Sequence, residues 1–160
     1  MTYYIFVKDN KINGCGQCEC SNMTSIEVSE EVYNNYISDN DLYIYQDGEI
    51  VANPDYGKIK EQERETEFKK EFFLTSLGWI RRKPTLADGS QDDFLNNDLP
   101  LLAIGLMSGS NPILPIAYQQ PDFTQELTPE YMISLQVKNQ PITQQFLNEC
   151  MAVKMSDFIG

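Results

Sequence analysis

The sequence of 160 residues contains no histidine. This absence excludes every Ser-His-Asp or Cys-His catalytic arrangement and every metal site that uses an imidazole ligand. Basic residues are also scarce, because 12 lysines and arginines stand against 24 aspartates and glutamates, and the net charge is -12. An acidic surface repels both nucleic acid and anionic membranes, so we expect neither of them as a direct partner.

Long apolar runs are absent as well. The longest run, residues 99–107, contains a proline and a glycine and is far shorter than the roughly 20 residues of a membrane-spanning helix. The N-terminal residues lack the basic start and sustained apolar stretch of a signal peptide. We therefore expect a soluble protein made in a cytoplasm, whose 4 cysteines are thiols or metal ligands rather than disulfides.

The residues that are present predict an α+β fold with a packed core. The apolar fraction is 41%, and it includes 8 phenylalanines, 9 tyrosines and one tryptophan. Residues 1–56 predict a small β-hairpin module with one short helix, which holds 10 acidic and 2 basic residues. Two β-favouring runs flank Asp47-Gly48, a pair typical of a type I′ hairpin turn, and Ser29 is placed to cap the helix.

A polar stretch follows the first module. Residues 59–67 favour a helix but have almost no apolar side chain to bury. We therefore predict an exposed connector helix over residues 57–80 and place the domain boundary within it.

The remaining residues, 81–160, predict a mixed, mainly helical α/β domain. Asp98 is placed to cap a helix over residues 100–107, which carries proline in its first turn. Thr128, which precedes a proline and a glutamate, is placed to cap a further helix. An i, i+4 apolar stripe predicts a last helix over residues 143–155.

The cysteines form the most conspicuous local motif. Cys15, Cys18 and Cys20 could supply three thiolates to zinc or to an iron–sulfur cluster, and Cys150 a fourth. A structural zinc site normally has two paired hooks, however, and here one of them is a single, distant cysteine. Small residues of this kind also suit a hairpin loop without metal. We therefore predict free thiols and no cofactor, with the metal site as the alternative.

Neighbouring carboxylates suggest a second kind of chemistry. Asp88, Asp92 and Asp93 are close enough in sequence for acid–base work or a divalent cation. Adjacent side chains of an extended segment point in opposite directions, and Asp88-Gly89 is typical of a turn. Solvation or capping is therefore the favoured role. Because no residues combine a nucleophile, a base and an oxyanion site, we predict that the protein is not an enzyme.

Aromatic and basic residues gather between positions 68 and 83. Large aromatic side chains and arginine are the usual anchors of protein interfaces, although the aromatic ones could equally fill the core of the second domain. The basic run at 81–83 is the only one in the chain and either pairs with the acidic module or docks an acidic partner. The interface candidates are Phe68, Phe72, Phe73, Trp79, Arg81 and Arg82.

Three stretches carry a resemblance to a known group of proteins. They are residues 26–33 (IEVSEEVY), 43–51 (YIYQDGEIV) and 53–56 (NPDY), and a charged helix follows them. Over about residues 24–72 the chain resembles small tail-region proteins of bacteriophages and prophages, such as tail-fibre assembly proteins and minor tail or virion proteins. The resemblance supplies no catalytic residues.

This resemblance implies a non-enzymatic protein that acts through protein–protein contacts in tail or tail-fibre assembly, or as a minor virion component. Its partners would be phage tail or fibre proteins, met in the bacterial host cytoplasm during assembly or in the virion, and self-association stays open. The alternative is an acidic phage-encoded inhibitor of a host defence nuclease that mimics nucleic acid. Its acidic candidates are Glu27, Glu30, Glu31 and Asp39.

Overall fold

The computed structural model describes residues 1–159 and confirms the α+β class. The chain divides into two compact units, of which the first covers residues 1–60 and the second begins at residue 61. Among the described residues, no helix combines the length and the apolar character needed to span a bilayer.

The first unit is built on a three-stranded antiparallel sheet with β1 in its centre. A separate hairpin, β4–β5, packs against this sheet. The small core of the first unit contains Ile5, Val7 and Tyr36. The elements are β1 (Tyr3–Lys8), β2 (Lys11–Gly16), β3 (Thr24–Val28), α1 (Glu30–Ser38), a short 3-10 turn (Asn40–Leu42), β4 (Tyr43–Gln46) and β5 (Glu49–Ala52).

Two predicted local features of this unit are confirmed. The Ser29 hydroxyl accepts a hydrogen bond of 3.2 Å from the backbone N–H of Val32 and so caps α1. Asp47 and Gly48 have φ angles of 54° and 83°, which are the two positive values that a type I′ turn requires. Local side-chain chemistry therefore determines both features.

An ion pair attaches the start of the next helix, α2 (Tyr56–Glu71), to the first unit. Lys60 Nζ lies 2.9 Å from Asp39 Oδ2 and 3.2 Å from Asp41 Oδ2. The Tyr56 hydroxyl also donates a hydrogen bond of 2.9 Å to Asp39. The hydrogen bond from Lys60, together with those from the Asp41 backbone and Tyr56, holds the pKa of Asp39 below its ordinary value.

The predicted connector helix over 57–80 is too long, because α2 ends at Glu71. The following residues form an antiparallel hairpin of β6 (Phe72–Thr75) and β7 (Gly78–Arg81). Neighbouring side chains of a strand point to opposite faces of a sheet, and at Phe72 and Phe73 both faces are covered, although Leu74 is exposed. Phe72 and Phe73 are therefore both buried in a strand, whereas their spacing in the sequence predicts an amphipathic helix.

The second unit contains a four-stranded antiparallel sheet in the order β6-β7-β8-β9. One cluster of buried residues joins this sheet to α3 and α5. A second, aromatic cluster contains Phe68, Phe72, Trp79 and Phe123. The remaining elements are a π-helical turn (Phe94–Asp98), α3 (Leu99–Met107), β8 (Ile113–Tyr118), α4 (Pro129–Ser134), β9 (Gln136–Pro141) and α5 (Gln144–Ile159).

The predicted caps of the second unit have different outcomes. Thr128 caps α4 as expected, since its hydroxyl accepts a hydrogen bond of 3.2 Å from the Tyr131 N–H. The prediction that Asp98 caps α3 is wrong, because its side chain makes no capping bond. A π-helical turn precedes α3, and Asp93 caps that turn by accepting from the Asn96 N–H.

Replacement of Gly78 tests the close approach of β7 to β8. Gly78 has a φ of +118°, and a Cβ built on it would lie 2.8 Å from the Tyr118 carbonyl oxygen. We expect Gly78→Ala to lower the free energy of unfolding by about 2–3 kcal/mol, as measured by urea denaturation. Gly57→Ala is the matched control, because nothing lies within 4 Å of its added Cβ. In the helix α2 it should stabilise by up to about 1 kcal/mol, and equal effects of both changes would contradict the contact.

Candidate functional site

The second unit contains an open groove of about 830 Å³, here called the β7–β8 groove. Its walls are the end of β7, the loop over residues 84–92, the start of α3 and strand β8. Apolar side chains predominate in its lining, and several of them remain exposed to solvent. The exposed apolar residues of the groove are Leu86, Leu101, Ile113 and Ile116. A groove of this size suits a small ligand or a segment of another chain.

The groove opens because β7 and β8 are paired at one position only, Trp79 with Tyr118. On its other side β8 pairs with β9 from Ile113 to Tyr118. Pro115 has no amide hydrogen and is the one residue of β8 without a partner in the β8–β9 register, so it does not determine the other edge. Within residues 1–159, the edge of β8 that faces β7 has no strand partner over residues 113–117.

The loop over residues 84–92 is a tight turn, as the sequence predicts. The Gly89 N–H donates a hydrogen bond of 2.9 Å to the Leu86 carbonyl. Asp88 accepts hydrogen bonds of 2.6 Å and 2.9 Å from the hydroxyl and N–H of Ser90. These bonds hold the pKa of Asp88 below its ordinary value. Asp88 therefore has the local turn role predicted for it.

Asp92 has local hydrogen bonds as well, and it also forms a carboxyl pair with Asp98 in the wall of the groove. Asp92 Oδ1 also accepts hydrogen bonds of 2.9 Å from Asn97 Nδ2 and from the Asp93 N–H. Burial, followed by the hydrogen bond and charge of Asp92 and the charge of Asp93, raises the pKa of Asp98 to about 7. The hydrogen bond from Asp98 is the main cause that lowers the pKa of Asp92. Below this pH the pair therefore shares one proton, held by Asp98, and at pH 7 that proton is present about half of the time.

The carboxyl pair has no cationic partner among residues 1–159. No lysine or arginine of the described chain forms an ion pair with Asp92 or Asp98. Arg81 lines the same groove, but its guanidinium lies 3.6 Å from the Glu71 carboxylate and 4.4 Å from the centroid of the Phe72 ring. The negative charge of the pair is thus stabilised by hydrogen bonds alone.

The structure places the aromatic interface candidates in the interior of the second unit. Phe68, Phe72 and Trp79 are buried in one cluster, and the Phe68 and Phe72 rings stack with centroids 4.2 Å apart. Phe73 is buried in the other cluster. Of the two roles left open by the sequence, these side chains fill the core of the second unit.

The two arginine candidates pair within the second unit. Arg82 forms an ion pair with Asp157 and lies 5.5 Å from the centroid of the Phe73 ring. Arg81 pairs with Glu71, as described above. The expectation that this basic run pairs with the acidic module 1–56 is therefore wrong for both arginines. Their guanidinium groups lie over core aromatic rings, and carboxylates near them in the fold are their partners.

The cysteines are all free thiols. Cys18 is exposed, Cys15 and Cys20 are half-buried, and Cys150 is fully buried in the core of the second unit. Burial, with a smaller effect of the Glu149 charge, raises the pKa of Cys150 to about 12. Within residues 1–159 no group of three or more histidine, cysteine, aspartate or glutamate side chains is arranged to hold a metal ion.

Comparison of the chain with protein-family models, with characterised proteins and with solved structures finds no match. The resemblance to phage tail-region proteins stays a prediction.

Replacement of Asp98 by asparagine tests the carboxyl pair. The pKa of Asp98 rises from 3.8 to about 7 on folding, so the unfolded chain releases a proton in this pH range that the folded chain retains. The contribution of Asp98 to stability is therefore complete below pH 3.8 and is lost as the pH rises towards 7. An asparagine side chain at this position keeps a hydrogen-bond donor to Asp92 and has no proton to lose. We expect D98N to stabilise the fold by about 1 kcal/mol at pH 7.5, after allowance for solvent screening of a half-buried group.

The measurement is the free energy of unfolding of both proteins between pH 4 and pH 8. The gain from D98N should vanish near pH 4, because in the folded chain the carboxyl group of Asp98 is then protonated and as neutral as the asparagine side chain that replaces it. Glu126→Gln is the matched control, because Glu126 is exposed, lies outside the groove and loses the same charge. A gain that is independent of pH, or an equal gain from Glu126→Gln, would contradict a shared proton.

Proposed function

We propose that this chain is a non-enzymatic protein that acts by binding another protein through the β7–β8 groove. The observation that supports this most directly is the set of exposed apolar side chains around a large groove, next to a strand edge without a partner. Single exposed apolar residues are common on protein surfaces, whereas several that line one groove are typical of a binding site. An unpartnered strand edge is likewise a common acceptor of protein segments.

The resemblance of residues 24–72 to phage tail-region proteins favours a tail or fibre protein as the partner. Binding would then take place in the cytoplasm of the bacterial host during assembly, or in the virion. A binding protein of this kind needs no catalytic residues, and the apolar character of the groove suits association rather than chemistry.

A charged substitution on the rim of the groove tests this function. Leu101 is 68% exposed on α3 and lines the groove, and Ile133 is 63% exposed on α4 and lies outside it. We expect tagged wild-type chain and the matched control Ile133→Lys to co-isolate tail or fibre proteins from phage-producing cells. The Leu101→Lys variant should co-isolate at least about tenfold less tail or fibre protein, because burying a lysine in an apolar contact is unfavourable. Mass spectrometry of the isolated complexes measures the amount of tail or fibre protein recovered with each of the three chains.

Each result of this experiment bears on one part of the proposal. Tail proteins recovered equally with Leu101→Lys would show that the groove is not the contact surface. Wild-type chain that recovers no tail or fibre protein would contradict the assignment to tail assembly. Detection of the chain in purified virions would distinguish a virion component from an assembly factor.

The inhibitor alternative is supported by the exposed acidic residues of the first unit. Glu27, Glu30 and Glu31 are exposed, and the structure of residues 1–159 gives none of them an ion pair. Asp39 differs from them, because its carboxylate is paired with Lys60. The three glutamates are therefore the side chains best able to imitate backbone phosphates.

The inhibitor alternative predicts a salt-sensitive complex with a basic nuclease of the host. Substitution of all three glutamates by glutamine should abolish the inhibition measured in a nuclease assay, and so should about 0.5 M salt, since both remove charge attraction. Asp39→Asn is unsuitable as a fourth change, because it would disturb the Lys60 ion pair. Inhibition that survives both treatments would exclude charge mimicry.

A further inference from the structure

The carboxyl pair of Asp92 and Asp98 is the polar feature of an otherwise mainly apolar groove. Charges attract each other more strongly beside apolar walls than in open water. The pair lacks a cation within residues 1–159, and the nearby Arg81 is paired with Glu71. The net charge of -12 adds a general attraction for positively charged partners. Charge complementarity therefore favours an occupant that brings one positive charge.

The form of the occupant follows from the strand edge. The β7-facing edge of β8 has no strand partner over residues 113–117, and Ile113 and Ile116 of this strand are exposed in the groove. An extended chain segment placed there can add to this edge of β8 as a further strand and bury alternate side chains.

Resting on the protein-binding function above, we propose that the groove binds an extended, apolar segment of the partner protein carrying one lysine or arginine, whose cationic group pairs with Asp92 and Asp98. The apolar side chains of the segment contact Leu101, Ile113 and Ile116. The cation replaces the proton that the two carboxyl groups share, so that both become ionised. The basic side chain keeps its own proton, and the proton of Asp98 passes to the solvent.

This exchange makes binding depend on pH. The groups that act on Asp98 are Asp92 from the loop over residues 84–92 and Asp93, which caps the π-helical turn. From the strands, Arg81, Tyr118 and the uncharged Gln136 line the same groove. Below the pKa of Asp98 the cation has to expel a proton, and above it the site is already ionised. The affinity for a cationic segment should therefore fall by up to about tenfold per pH unit as the pH drops below 7.

Two pools of synthetic peptides test the inference on the full chain. Both contain acetylated and amidated nonapeptides with leucine, isoleucine, valine or serine at the eight outer positions. The central residue is lysine in one pool and norleucine, which has a similar length and no charge, in the other. The immobilised protein is incubated with each pool at pH 8 and at pH 6, and bound peptides are quantified by mass spectrometry.

We expect the wild-type chain at pH 8 to retain at least about tenfold more of the lysine pool than of the norleucine pool. The preference should shrink at pH 6 and disappear in the double variant Asp92→Asn, Asp98→Asn. Glu126→Gln, which removes a charge outside the groove, should preserve the preference. Circular dichroism of each variant establishes that it is folded.

Equal retention of both pools would overturn the cationic segment while leaving the protein-binding function intact. A lysine preference that persists in the double variant would also overturn it, because the charge would then be recognised elsewhere. Failure to retain either pool would reject an extended apolar segment as the occupant. The proposed function would still be decided separately, by the co-isolation experiment with Leu101→Lys.

Discussion

Gly78 lies so close to the carbonyl oxygen of Tyr118 that no side chain fits between them, and the surface of the second unit depends on this contact. It brings β7 against the end of β8 at the position where Trp79 and Tyr118 pair. Beyond this point the two strands share no further pairs, and the space at their divergence is walled by α3 and the loop over residues 84–92. A continuous β7–β8 ladder would have closed the same space.

The carboxyl pair shows that this surface is not optimised for stability. Two carboxyl groups that share a proton in a half-buried site are less favourable at neutral pH than an asparagine beside an aspartate would be. Binding sites often retain such costs because the same groups are needed when the site is occupied. The mainly apolar lining of the groove and its exposed leucine and isoleucine side chains agree with this interpretation.

The sequence predicts those parts of the fold that depend on local chemistry. The turn at Asp47-Gly48 and the caps at Ser29 and Thr128 need only residues within a few positions of each other. The hairpin β6–β7 escapes prediction, because the Phe72-Phe73 pair fits a helical stripe until it is known that the sheet is covered on both faces at these two residues. No residue between 72 and 81 reveals that second face.

The candidate site is less accessible to sequence reasoning than the fold. The sequence offers Asp92 as a candidate for acid–base chemistry but favours a solvated or capping role for it, and it predicts Asp98 as a helix cap. Their contact depends on the π-helical turn between them, for which the sequence offers no recognised signal. The groove itself results from strands that are distant in sequence, β7 and β8, and from how few pairs they make. Such non-local arrangements follow from tertiary packing rather than from any pattern along the chain.

The proton held by Asp98 makes the hydrogen ion itself a ligand of the groove. A pKa of about 7 corresponds to a dissociation constant of about 0.1 µM for this ion. At neutral pH the smallest cation in the cell thus already occupies the position about half of the time. A larger cation at the same two carboxyl groups would compete with it, and the acidity of the surrounding medium sets the concentration of that competitor.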